Sequence, residues 1–128
     1  MIETILGIVR DEMQRITIPY EFMRWTSSVV DTYWVGEYSE TPTDSEDGSE
    51  EYTLILTGTA RGEWLKLLQE KEKIKDHFPD VGGFRKRTNK GAVVIFYDQS
   101  FPVPTGEADL KKIQVNLQVK AWKGMNDI

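Results

Sequence analysis

The residues best equipped for chemistry are crowded into one stretch, "YSETPTDSEDGSEEY" at 38–52, which holds six carboxylates and no base. Clustered acids can ligate a cation, share a proton in catalysis, or meet a cationic partner. A helix–loop–helix calcium loop needs oxygen ligands at alternate positions, Gly at the sixth and Glu at the twelfth. Counted from Asp44 the sixth residue is Ser49; counted from Thr43 the sixth is Gly48 but the twelfth is Leu54. Neither register fits, so no metal and no other cofactor is expected. Catalytic carboxylates must be desolvated and rigidly held, and a Ser/Gly-rich acidic connection provides neither condition.

The other candidates are sparse. His77 is the only histidine and there is no cysteine, so a Cys–His dyad and a multi-histidine metal site are both excluded. His77 closes a charged helical segment, where a cationic side chain suits the helix dipole, and reads as a surface or helix-end residue. "GTARGEW" and "VGGF" lack the Lys-Ser/Thr pair of a phosphate loop and the G-x-G-x-x-G frame. The basic counterpart of the acidic stretch is "FRKRTNK", with Arg85, Lys86, Arg87 and Lys90 around an expected hairpin tip. No nucleophile–base set is visible, and the expectation is a protein without enzymatic activity.

Charge and composition set the frame. The chain has 128 residues and a net charge of −5; outside the acidic stretch 15 acids face 16 bases. One segment therefore supplies the acidity, which argues against a general nucleic-acid-binding surface. A 39% hydrophobic content is enough for one domain with a real core. The absence of cysteine fits a reducing compartment. The longest apolar run, "AVVIFY", is too short to span a bilayer, and "MIETILGIVRDEM" lacks the basic start of a secretory signal.

Periodicity supplies the elements that must carry these residues. Ile2, Ile5, Leu6, Val9, Met13 and Ile16 form a helical stripe over 2–15, ended by Pro19. Trp64, Leu67, Leu68, Lys71, Ile74 and Phe78 mark a second helix over 62–77, with Trp64 in the core and Glu70 at the edge of the stripe. Strands are expected at 29–38, 51–59, 91–98 and 111–121, with an acidic, flexible connection at 39–50 and a Pro/Gly connection at 100–109. The last strand alternates Ile113, Val115, Leu117, Val119 and Ala121 with Gln114, Asn116, Gln118 and Lys120. The fold class that follows is α+β, a single domain with a mixed, largely antiparallel four- to five-stranded sheet and two main helices packed on one face. Trp34 and Trp122 fall off the core parity of their strands. On a polar face Trp122 suits a protein interface, or else a small second core under the loops.

"YTLILTGTARGEWLKLLQEKEKIKDHF" followed by "VVIFYDQSFPVPTGEADLKKIQVNLQVKAWKG" resembles the tail terminator, or tail completion, proteins of long-tailed phages and prophages of Gram-positive bacteria. The likeness runs from about residue 29 to 124, and its most specific piece is "PVPTGEADLKKIQVNLQVKAWK". What it implies is a structural virion protein. Six subunits usually form a ring that caps the tail tube, ends its polymerisation and offers a docking surface to the head–tail connector, while DNA only passes through the hole. The implied partners are the chain itself, the tail tube protein and the connector, without a membrane. The implied location is the host cytoplasm during assembly and then the tail or neck. A neck or head–tail joining protein, or a non-virion interaction module, is the alternative. The likeness brings no fixed functional residues. The candidate interface is therefore set by charge and exposure: Asp44, Glu46, Asp47, Glu50 and Glu51 on one side, and Arg85, Lys86, Arg87, Lys90 and Trp122 on the other. For the acidic residues a purely solvated loop, a ring or docking contact, and a lining of the central hole are all open.

Overall fold

The computed structural model describes residues 1–28, 30–41 and 48–124. Along the chain come α1 (Ile2–Arg15), β1 (Tyr20–Phe22), β2 (Thr32–Thr41), β3 (Glu50–Arg61), α2 (Leu65–His77), β4 (Phe84–Thr88), β5 (Gly91–Val103) and β6 (Leu110–Lys123). The six strands form one sheet in the order β1-β2-β3-β6-β5-β4. All neighbours are antiparallel except β1 and β2. The class is α+β, as expected, but the sheet has six strands rather than four or five. The extra strand, β1, has three residues, too few to show a period; it follows Pro19, whose carbonyl accepts from the Trp34 amide at 2.9 Å.

One core cluster joins both helices to the sheet. Ile5, Val9 and Met13 of α1 and Leu67 and Ile74 of α2 meet Leu54, Leu56, Val93, Ile95, Val115, Leu117 and Val119, which share the inner face of β3, β5 and β6. The alternation expected for the last strand holds from Ile113 to Ala121, with each of its expected apolar residues buried. Both helices therefore lie on one side, and among the described residues no helix covers the opposite face of the sheet.

Trp34 and Trp64 depart from their expected places. Trp34 is fully buried. It faces Gly58 across the β2–β3 pair. A methyl group on Gly58 would come within 2.6 Å of the indole and 2.8 Å of Leu67, so glycine is what lets the ring lie flat on β3 under α2. The indole Nε1–H donates to Glu70 Oε1 at 3.0 Å, and Thr32 Oγ1 donates to Glu70 Oε2 at 2.9 Å. Glu70, expected at the edge of the stripe, is buried and forms the polar centre of the α2–sheet interface. Trp64, expected in the core, sits outside α2 at its amino end, 36% exposed, and Leu65 and Leu68 are exposed with it. Rotating the helix to aim Leu67, Glu70 and Ile74 inward necessarily turns Trp64 and Leu68 outward.

Three strand limits also move. β5 continues to Val103, past a bulge between Tyr97 and Gln99, where a Pro/Gly connection was expected from 100. Pro102 is tolerated because β4 pairs only with residues 91–95, which leaves that side of β5 without a ladder to donate to. β2 and β3 extend to Thr41 and from Glu50, so the connection expected at 39–50 is shortened to the residues between them; 42–47 lie outside the described residues.

Replacing Glu70 by Ala leaves two buried donors without an acceptor, and urea unfolding is expected to show a loss of about 3 kcal/mol. Glu70→Gln, which keeps one acceptor oxygen, loses less. Gly58→Ala is expected to cost about 2 kcal/mol through overpacking against Trp34, with a shifted tryptophan emission as the local readout.

Candidate interaction surface

β4 and β5 form a tight hairpin. Thr88 pairs with Gly91, so only Asn89 and Lys90 make the turn. Thr88 Oγ1 donates to the Gly91 carbonyl at 3.0 Å and accepts from the Lys90 amide at 3.1 Å. Gly91 has φ of +145° and lies against the Trp122 carbonyl, a closeness that any side chain would prevent. This draws the end of β6 up to the hairpin. Of the basic residues placed at the expected tip, Lys90 alone is in the turn. Arg85, Lys86 and Arg87 ride on β4 itself, the edge strand of the sheet. The correction has a physical sense, because charged side chains on an edge strand oppose unwanted strand addition.

The pleat sorts these side chains. Arg85 pairs with Val94, which pairs with Lys120; Arg87 pairs with Ala92, which pairs with Trp122. Arg85, Arg87, Lys120 and Trp122 therefore share the outer face, and together with Lys86 they border a shallow groove of about 550 Å³. Trp122 is half-buried on that face and takes no part in the helix-covered core. Arg85 Nε donates to the Gly82 carbonyl at 3.1 Å, and among the described residues Lys86 and Arg87 make no ion pair.

The acidic side is split. Asp44, Glu46 and Asp47 lie outside the described residues, whereas Glu40, Glu50 and Glu51 are on strands. Glu51 is on the outer face, 3.7 Å from Lys120 Nζ. Glu50 is bound by Lys123 at 3.0 Å and accepts from the Tyr52 hydroxyl at 2.6 Å. That hydroxyl bond, and then Lys123, hold the Glu50 carboxyl below its ordinary range against the opposing effect of burial. The Tyr52 hydroxyl is pushed up, first by burial and then by the Glu50 carboxylate. One register row runs Thr41–Glu51–Lys120–Val94–Arg85. The acidic and basic segments, separated by more than 30 residues in the sequence, thus emerge at the same end of the sheet.

A second polar cluster had no signal in the periodicity. Glu12 of α1 is buried beside a half-buried His77, with Nε2 and Oε1 2.7 Å apart, and Arg15 Nε is 3.3 Å from the same oxygen. His77 ends α2 as expected but is half-buried rather than freely solvated: it stacks on Phe84 at 5.3 Å and meets Phe78 edge-on at 5.0 Å. Glu12 was hidden because it occupies a core position of the α1 stripe, between Val9 and Met13. No hydroxyl hydrogen-bonds to His77 among the described residues, so the pair has no nucleophile to activate. Among the described residues no three or more His, Asp or Glu are grouped so as to hold a metal ion, and no helix is long and apolar enough to cross a membrane. Compared with protein-family models and with curated proteins, the chain has no match.

The Glu50 contacts carry a sign. A carboxyl held below its ordinary value of 4.5 contributes stability above that value and loses it as pH falls through the lowered one. Wild type is therefore expected to exceed Glu50→Gln in urea-unfolding stability at neutral pH, with the gap closing below about pH 4.

Proposed function

We propose that this chain is a structural subunit of a long-tailed phage or prophage particle. In this reading it closes into a ring, a hexamer as the resemblance implies, on the end of the tail tube. It ends tube polymerisation and offers the docking surface for the head connector. The observation that carries the reading is the uncovered outer face of β6. This strand lies inside the sheet, between β3 and β5, and presents Gln114, Asn116, Gln118, Lys120 and Trp122 on the side that no helix covers. It belongs to the same piece, "PVPTGEADLKKIQVNLQVKAWK", that is most specific in the resemblance. Long amide and aromatic side chains half-buried on an open face suit a protein interface, where aromatics are enriched and hydrogen bonds to a partner replace those to water.

The same reading assigns the partners. The tail tube protein and a connector protein meet the two rims, neighbouring copies meet the sides, and DNA passes without specific contact. The protein works in the host cytoplasm during assembly and stays in the tail or neck of the virion.

Deleting the gene in the phage or induced prophage that encodes it is expected to leave filled capsids, with unjoined tails of uncontrolled length in electron micrographs. Tails of normal length that remain unjoined would instead assign the chain to head–tail joining. Normal tails on full-headed particles would remove both readings.

A further inference from the structure

We infer that the basic groove of β4–β6 receives the acidic 38–52 segment of a second copy of this chain. Among the described residues, the groove has a cationic excess that its own neighbours leave unneutralised. Lys120 is the one groove cation with an acidic partner, Glu51 at 3.7 Å, while Lys86 and Arg87 have none among the described residues. The complementary charge is on the same chain: six carboxylates without a base in 38–52, against 15 acids and 16 bases elsewhere. A partner rich in clustered acid is what the groove recognises, and a second copy supplies it at equal stoichiometry.

Geometry makes the contact repeatable. Rotation about a ring axis does not shift a subunit along that axis, so two patches that meet between neighbours must stand at one height. The row Thr41–Glu51–Lys120–Val94–Arg85 puts the root of the acidic segment and the basic edge at one level of the sheet. They are separated sideways by four strand spacings, roughly 19 Å. Acid on one flank and base on the other, level with each other, is the arrangement a head-to-tail contact needs. The charged β4 edge resists ladder extension, so the joint is made by side-chain charge around Trp122 and not by a continued sheet. The closure of such contacts into a ring rests on the function proposed above; the contact itself rests on charge and register.

The test uses the full chain and two charge-reversed variants. One carries Arg85→Glu, Lys86→Glu and Arg87→Glu; the other carries Asp44→Lys, Glu46→Lys and Asp47→Lys. Sedimentation and native mass spectrometry follow self-association, and circular dichroism confirms folding. Wild type is expected to associate, with an apparent Kd at least about tenfold weaker at high salt than at low salt. Each variant alone is expected to be monomeric. An equimolar mixture is expected to associate again, because the intact acidic segment of one meets the intact groove of the other. The salt dependence of wild type keeps the inference testable if a variant does not fold. A wild type that stays monomeric up to about millimolar concentration, or association that the reversals and salt leave unchanged, overturns the inference. So does a monomer whose groove binds a single-stranded oligonucleotide and loses it on reversal of β4. Unchanged association alongside overlong tails in the deletion would remove this contact and leave the proposed function standing.

Discussion

The fold depends on a buried carboxylate. Glu70 sits on the inner face of α2, between Leu67 and Ile74, and an unpaired carboxylate there would be severely destabilising. It is tolerated because β2 brings two donors to it, the Thr32 hydroxyl and the Trp34 indole. The indole can reach only because Gly58 on β3 leaves room for the ring. One helix, two strands and a glycine are thus tied in a single geometry, which sets the rotation of α2 on the sheet. Apolar packing alone would allow the helix to roll; two directional bonds do not.

The second tie is Glu12 with His77 and Arg15. It joins α1 to the end of α2, and the stacking of His77 on Phe84 carries the connection to β4. The inner side of this edge strand is therefore anchored by an aromatic residue, while Arg85 and Arg87 alternate onto the outer face. The described helices hold the sheet from one side, so the core is built on that side alone.

Electrostatics then separates into two layers. Close pairs such as Glu50 with Tyr52 and Lys123 pin the start of β3 to the end of β6. Among the described residues Lys86 and Arg87 of β4 make no ion pair. Exposed charges contribute little to folding, about 0–1 kcal/mol per pair, yet opposite patches brought together between molecules steer and register association.

Periodicity was enough for both helices, for the α+β class and for the four longer strands, because amphipathic alternation records directly which side chains lose water. It was enough for β6 in particular, whose strict alternation matches its burial residue by residue. It put Trp122 on the polar face of β6, where it lies, whereas the basic residues, read from charge as a hairpin tip, lie on β4 except for Lys90. It could not show β1, too short to carry a period, nor the reach of β5 through Pro102, which depends on where β4 stops. It placed Trp64 inside and Glu70 at the margin because an apolar stripe fixes the rotation of a helix only to within about one residue position. The choice belonged to Trp34 and Gly58, more distant in the chain. The two charged segments are likewise legible as composition, but their meeting at one end of the sheet is decided by strand order and register, which no local pattern contains.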